Sequence, residues 1–294
     1  MSTIIVRLLY VWYANQHFLI KWNGCLSSPF HVSNGVRQGG ILSPYFFNLY
    51  IDDLSNMLSY SKTECIFNNE RINHLFYADD SVLLSPSPHS MQVLLNICDK
   101  FAKEHELKFN LKKTVLMCIK PNWLKNLTIP TLYLNGSPID VTSDHKYLGM
   151  IISDNKKDDL DMKRQMCSIY ARGNVLVKKF SNCTDDVKIK LFKSYCTSFY
   201  CLNLWNSFKV SSFRKVKSAY NKMFRKFLGV SRENMSNFML LNNVKTFGEI
   251  ERNLIYSFRS RVLRCDNVIV RTICDSLFYL NCDITKYWNT KLYI

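Results

Sequence analysis

Short apolar runs broken by turn residues fill the first half of the chain, and long apolar stripes at helical spacing fill the second. Residues 4–14 read as the end of a helix whose beginning is missing. His17 to Trp22 reads as a strand, Asn23-Gly24 as a hairpin turn, and Phe30-His31-Val32 as the returning segment. Ser33 to Gly40 is a glycine-rich polar loop. Ser43-Pro44 opens a helix, with Ser43 as N-cap and Pro44 in the first turn. Its apolar face is Phe46, Phe47, Tyr50, Ile51, Leu54 and Leu58. Ser87-Pro88 starts a second helix in the same way, with Met91, Leu94, Leu95, Cys98, Phe101 and Ala102 as its stripe. Phe109-Asn110 and Val115 to Ile119 predict a strand beyond it. Asn135-Gly136 predicts a hairpin between Leu132-Tyr133-Leu134 and Ile139-Asp140-Val141, and Tyr147 to Ile152 closes this part as a strand. The pattern is an α+β layer, an antiparallel sheet with packed helices.

From about Asp159 the pattern is helical. Met162, Met166, Ile169, Tyr170, Leu176, Val177 and Phe180 line a first helix, and Val187, Leu191, Tyr195 and Phe199 a second beginning at Thr184. A third runs from near Ser212 to a stop at Gly229, burying Val216, Tyr220, Met223, Phe224 and Phe227. Its other faces hold Arg214, Lys215, Lys217, Lys222, Arg225 and Lys226, an arrangement suited to phosphates or an acidic partner. Thr246-x-x-Glu249 is a capping box for a further helix bearing Arg252, Arg259, Arg261 and Arg264. The boundary falls near residue 152 and has no obvious linker.

The candidate chemistry lies in His74-Leu75-Phe76-Tyr77-Ala78-Asp79-Asp80-Ser81-Val82-Leu83-Leu84. Two apolar runs flank adjacent carboxylates, so the pair belongs at a hairpin tip with Asp-Asp-Ser as the turn. Side-by-side carboxylates at the end of a buried sheet call for a cation between them, and oxygen ligands suit Mg²⁺. Asp52-Asp53, on a helix, point in different directions and read as surface or packing residues.

Charge changes this picture. Lys and Arg total 39 against 23 Asp and Glu, a net of +16. Residues 1–150 carry 13 basic and 11 acidic residues, and residues 151–294 carry 26 and 12. Nearly all the excess therefore sits in the helical half, the pattern of a region facing a polyanion or of a solvated basic surface. The 11 cysteines include no Cys-x-x-Cys pair and read as reduced core residues of a cytosolic or nuclear protein. No secretory signal or membrane-spanning run is evident.

Four segments occur in a characteristic order. They are Asn34-Gly35-Val36-Arg37-Gln38-Gly39-Gly40-Ile41-Leu42-Ser43-Pro44, Phe76-Tyr77-Ala78-Asp79-Asp80, Asn110-Leu111-Lys112-Lys113-Thr114 and Lys146-Tyr147-Leu148-Gly149. The set resembles the reverse transcriptases of non-LTR (LINE-type) retrotransposons, and the basic helices after residue 159 resemble that family's thumb. The resemblance implies a partial right-hand polymerase palm over 1–152 and an all-α thumb with a C-terminal helical region over 153–294. The implied activity is RNA-directed DNA synthesis from an RNA template, a DNA primer and deoxynucleoside triphosphates, with two Mg²⁺ ions. Asp79 is then the main metal ligand and Asp80 a weaker one. Arg37, Gln38 and Gly39 would lie at the nascent base pair, and Lys113 at the triphosphate, where it could protonate the departing pyrophosphate. Tyr147, Leu148 and Gly149 would grip the primer, and Arg214, Lys215, Lys222, Arg225 and Lys226 would follow the backbone. The plainer alternatives are a solvated turn at Asp79-Asp80, an ordinary turn at Gly39-Gly40, a surface lysine on a strand edge at Lys113 and a core strand kinked at Gly149.

The family's first catalytic motif carries an Asp upstream of Gly35, yet residues 1–51 contain no Asp or Glu. The expectation is an N-terminally truncated polymerase that is inactive alone, with an unpaired apolar sheet edge beside the carboxylate hairpin. A non-catalytic nucleic-acid-binding remnant is the alternative. A group II intron maturase shares Tyr-Ala-Asp-Asp, but the Gln-Gly-Gly-Ile-Leu-Ser-Pro wording favours the LINE type.

Overall fold

A computed structural model of the 294-residue chain describes residues 2–32, 35–120 and 128–292. Ser33 and Asn34, at the head of the glycine-rich loop, lie outside the described residues. The helix α1 (Thr3–Ala14) leads into β1 (His17–Phe18), β2 (Lys21–Trp22), β3 (Cys25–Leu26) and β4 (Phe30–His31). Then come α2 (Ser43–Ser59), β5 (Cys65–Phe67), β6 (Glu70–Ile72), β7 (His74–Tyr77), β8 (Asp80–Leu83) and α3 (Pro88–Glu104). The strands β9 (Val115–Leu116), β10 (Tyr133–Leu134), β11 (Ser137–Pro138), β12 (Asp140–Val141), β13 (Asp144–Tyr147) and β14 (Met150–Ser153) follow. The remainder is helical: α4 (Asp159–Phe180), α5 (Asp185–Cys196), a 3₁₀ turn at Leu202–Leu204, α6 (Val210–Leu228), α7 (Met235–Leu241), α8 (Phe247–Leu263), α9 (Val268–Cys274), α10 (Leu277–Asn281) and α11 (Asp283–Leu292).

The class is mixed helix with small, mostly antiparallel sheets. Among the described residues every sheet has two strands, so the expected layer is a set of separate ribbons. Strands of two to four residues pair too briefly to be stable alone, and these lean on helices. The Asn23-Gly24 and Asn135-Gly136 turns form as expected, all four residues taking positive φ. Two expected strands change character. Asp140-Val141 leaves the second hairpin to pair in parallel with Val115-Leu116. Tyr147 to Ile152 is no single strand but the turn of the β13–β14 hairpin.

In the first half, Leu54 and Leu58 of α2 meet Leu94, Leu95, Cys98 and Phe101 of α3 over Leu132, Leu134 and Ile139. The α3 stripe is the expected one, and Ser87 caps it by accepting from the Ser90 N–H. Ser43 does not cap α2. It is already helical, and its hydroxyl donates instead to Arg37 O at 2.6 Å. The α2 stripe narrows to Leu54 and Leu58, with Tyr50 exposed. No residue of α1 is buried, and Ile4, Leu8, Tyr10 and Trp12 face solvent.

The second half has one large core joining α4, α5, α6 and α8. All five apolar residues expected on α6 are buried, and Gly229 ends it at φ +69°. Gly173 of α4 permits the close α4–α6 crossing, since a Cβ there would stand 2.4 Å from Met223 Cε. On α5 the expected stripe holds in part, with Phe199 beyond the helix buried and Leu191 packed against the core. Ile189, Phe192 and Cys196 are buried while Val187 and Tyr195 are exposed, because this helix carries apolar residues on two faces. A smaller cluster, Ile255, Tyr279 and Trp288, closes the C-terminal region. Of the cysteines Cys98 and Cys196 are buried and Cys274 and Cys282 pack against the C-terminal cluster, while Cys25 and Cys167 are exposed, which corrects the expectation of a core role for those two. Burial pushes the Cys98 thiol up to about 12 and that of Cys196 to about 11. Among the described residues no helix is long and apolar enough to cross a membrane.

The ribbons and the helices are joined through buried carboxylates. Asp161 is wholly buried. Its Oδ1 accepts from Ile151 N at 3.0 Å and Arg164 Nε at 2.6 Å, and its Oδ2 accepts from Trp205 Nε1 at 2.9 Å. Asp158 accepts from the N–H groups of Asn206 and Ser207, both at 2.8 Å. Burial raises the Asp158 carboxyl above its ordinary range, and these two bonds work against that rise. An amide at position 161 cannot serve three donors, since one turn of it puts an NH₂ against an N–H. Asp161→Ala is expected to cost about 3–5 kcal/mol by leaving Arg164 and the indole unpaired. Asp161→Asn should cost less but still be measurable. Urea denaturation of both variants checks this, and a loss below 1 kcal/mol for the alanine would contradict it.

Candidate functional site

The β7–β8 hairpin pairs Tyr77 with Asp80, so Ala78 and Asp79 are its two turn residues. This shifts the expected Asp-Asp-Ser turn by one position: Asp80 opens β8. Ala78 takes φ +52°, an unfavourable conformation for a residue with a Cβ. Both aspartates are exposed, as are Leu75 and Tyr77 on the strand before them. The expected burial of the carboxylates does not occur, because no wider sheet encloses the ribbon.

Three contacts fix the hairpin. Phe76 and Leu83 pack on the α2–α3 core. Asn73 donates from Nδ2 to Leu58 O at 2.6 Å and to Ser61 Oγ at 3.2 Å, which leaves its Oδ1 to accept from His74 Nδ1 at 2.6 Å. His74 Nε2, then unprotonated, accepts from the Ser55 hydroxyl at 2.7 Å. The base of the hairpin is thereby clipped to the helix that follows the glycine-rich loop. Burial lowers the His74 pKa below its ordinary value, favouring this neutral tautomer.

The glycine-rich loop is a tight turn closed on Arg37 O, which accepts from Gly40 N and from Ser43 Oγ. Gly40 must lack a side chain, since a Cβ would stand 2.7 Å from Ser43 Oγ. Gly39 takes φ +82° with open space around it, and Gln38 and Gly39 are exposed. The Arg37 guanidinium lies 5.2 Å from the Trp12 ring centroid, so it faces α1 and is not a free cation at the loop surface.

Tyr147 and Met150 pair across the β13–β14 turn, with Leu148 at φ +44° and Gly149 at φ +84°. Tyr200, from the strap between α5 and α6, donates its hydroxyl to Leu148 O at 2.8 Å. The Tyr200 ring lies against Gly149, where a Cβ would be 3.0 Å from Cε1. Burial and then the charge of Asp80 raise the Tyr147 hydroxyl pKa. The Tyr200 hydroxyl is raised first by Cys201 and burial, with Tyr77 also contributing.

The remaining expected residues lie in two other places. Lys113 is exposed in a turn closed on Asn110 O, just before β9, and not on a strand edge. On α6, Arg214, Lys215, Lys222, Arg225 and Lys226 fall within an arc of about 120° at 100° per residue. Among the described residues, none of these five nor Lys113 has a carboxylate partner. Lys226 donates to Asn174 Oδ1 at 3.3 Å. Also among the described residues, no three His, Cys, Asp or Glu side chains group to hold a metal ion. Asp79 and Asp80 are hard oxygen donors of the kind a divalent cation takes, but two of them make only part of a site.

Residues 2–152 match the family described as Reverse transcriptase (RNA-dependent DNA polymerase). The RNA-directed DNA polymerase from mobile element jockey of Drosophila funebris is 23% identical over 78% of this chain and 25% of its own length. The probable RNA-directed DNA polymerase from transposon BS of Drosophila melanogaster is 23% identical over 72% of the chain and 24% of its own length. The Retrovirus-related Pol polyprotein from a type-2 retrotransposable element of Drosophila melanogaster is 33% identical over 45% of the chain and 13% of its own length. The matches cover a quarter or less of these relatives' lengths.

The His74 clip has a pH signature. A group held neutral in the fold, with its pKa below the unfolded value of about 6.5, stabilises fully above that value. It loses the contribution as pH falls through it toward the folded pKa. Wild type should therefore lose stability relative to His74→Gln between pH 7.5 and pH 5, measured by urea midpoint. Parallel curves for the two proteins would contradict the assignment.

Proposed function

Because the chain belongs to the reverse transcriptase (RNA-dependent DNA polymerase) family, we propose that it is the palm and thumb portion of a non-LTR retrotransposon polymerase. Its work in that setting is RNA-directed DNA synthesis. Its partners are an RNA template, a DNA primer and deoxynucleoside triphosphates, in the nucleus or cytoplasm. Residues 1–152 form the partial palm and residues 153–294 the basic thumb with its C-terminal helices. The family match over residues 2–152 carries this reading, and the Asp79-Asp80 hairpin and the Tyr147-Leu148-Gly149 turn support it as the two segments that would hold metal and primer end.

The roles follow from what each group can do. The cations of α6 neutralise backbone phosphates without reading sequence. Gln38 and Gly39 present an exposed amide and a bare backbone to a base pair. Lys113, exposed and without a carboxylate partner among the described residues, is available to a triphosphate. The family's divalent metal chemistry, with Mg²⁺ the ion suited to oxygen ligands, neutralises charge at the reacting phosphate. Asp79 and Asp80 supply part of that ligand set and residues 1–51 supply no carboxylate. We therefore expect the 294-residue chain alone to extend a primer several orders of magnitude more slowly than a complete family member.

The test measures binding and extension on one RNA–DNA primer-template. Wild type should bind with a steep salt dependence. Arg225→Glu with Lys226→Glu should weaken binding and flatten the slope of log K against log[salt] by about 2. Asp79→Asn should change binding less than twofold and remove whatever extension is measured. No binding at low salt would overturn the reading. Extension at a complete family member's rate would overturn the incomplete ligand set. Extension that Asp79→Asn leaves intact would overturn the metal-ligand role of Asp79, and binding with no extension at all would favour a purely nucleic-acid-binding role.

A further inference from the structure

Tyr200 braces the β13–β14 turn, and no sequence pattern singles it out. It sits in a strap, residues 197–206, that is held from beneath by α4. Buried Gln165 donates Nε2 to Tyr200 O at 2.6 Å, and Arg172 donates Nη2 to Ser198 O at 3.0 Å. Cys201 follows at φ +65°, a left-handed residue that turns the chain directly after Tyr200. The backbone of Tyr200 is therefore fixed while its side chain is 55% exposed. An aromatic ring left half in water on a braced backbone gains little from burial, so packing alone does not account for its placement.

What the ring does is hold the β13–β14 turn. Its hydroxyl occupies Leu148 O at 2.8 Å, and its edge fills the space that Gly149 leaves. Both turn residues are left-handed, and Leu148 pays a conformational cost there that glycine would not. A strained turn keeps one orientation only where its surroundings over-determine it. Tyr200 is the side chain that does so from the helical half, and Asp161 fixes the following strand through Ile151 N. The turn is thereby tied to α4, and not only to its own hairpin.

Resting on the primer-gripping role proposed for that turn, we infer that Tyr200 is a positioning residue for the primer 3′ terminus. By fixing Leu148 O it sets where the Tyr147–Gly149 turn stands relative to the Asp79-Asp80 hairpin. It acts through the turn, and its loss should affect recognition of a recessed 3′ end more than general duplex affinity.

The experiment uses the full chain and fluorescence anisotropy with two RNA–DNA duplexes, one with a recessed DNA 3′ end and one blunt. Wild type should prefer the recessed end. Tyr200→Phe keeps the ring on Gly149 and removes only the hydrogen bond. It should lower the preference roughly two- to tenfold, the range for one such bond, with blunt-duplex affinity and melting temperature unchanged. Tyr200→Ala should lower it further, and the comparison does not depend on that variant folding. Lys222→Glu with Lys226→Glu should weaken both duplexes equally. If Tyr200→Phe keeps the wild-type preference, or weakens both duplexes alike, Tyr200 has no positioning role and the primer-gripping reading of the turn survives. A wild type that binds both duplexes equally would overturn that reading itself and the role of Tyr200 with it.

Discussion

A buried carboxylate, Asp161, anchors the last ribbon of the first half to the helical half. Asp161 has no water to share its charge, so each oxygen must be satisfied from the protein. The donors come from three places: a strand N–H in the last ribbon, an indole in the strap and a guanidinium one turn along its own helix. None could move far without leaving a charge unpaired in the interior. A buried ion group of this kind adds little net stability, but it specifies one arrangement. Here the arrangement places the β13–β14 hairpin against α4, and so determines where the Leu148-Gly149 turn points.

The two halves are organised differently. The helical half has one continuous core in which Trp205, Tyr220, Phe224 and Phe247 are buried to within 1%. The first half has a smaller core between α2 and α3, around which short ribbons are attached. Each ribbon then depends on a local device. The carboxylate hairpin uses the Ser55–His74–Asn73 clip, and the glycine-rich loop uses Arg37 O. Arg37 itself rests on Trp12 and Tyr13 of a helix that has no buried residue. Much apolar surface remains in water there, which is unusual for a folded face with no partner.

The legibility of these features followed the number of signals each position carried. On α6 a single apolar stripe, a basic opposite face and a terminal glycine all agree, and the observed helix matches. On α5 two apolar stripes compete within twelve residues, and periodicity cannot choose between Ile189-Phe192-Cys196 and Val187-Leu191-Tyr195. Ser43 carries a cap signature, but a tertiary bond to Arg37 O claims its hydroxyl. The motif order brought out both hairpin tips and the loop. It could not bring out Tyr200, His74 or Asp161, whose roles arise from partners up to 52 residues away. Apolar flanks imply burial of Asp79 and Asp80, yet alternation of partly buried and exposed residues along β7 leaves the tip in water.

That exposure alters the physical problem the carboxylates pose. Buried, they would need a cation to exist at all. In water they carry no such penalty, so their proximity to each other is not itself an argument for a metal. The charge of Asp80 acts on the Tyr147 hydroxyl, at the turn that Tyr200 braces, and residues 151–294 carry a net of +14 against +2 for residues 1–150. On the proposed reading, a polyanion would be drawn to the basic helices, and the bonds of Asp161 to Ile151 N and of Tyr200 to Leu148 O would fix the turn that receives its end.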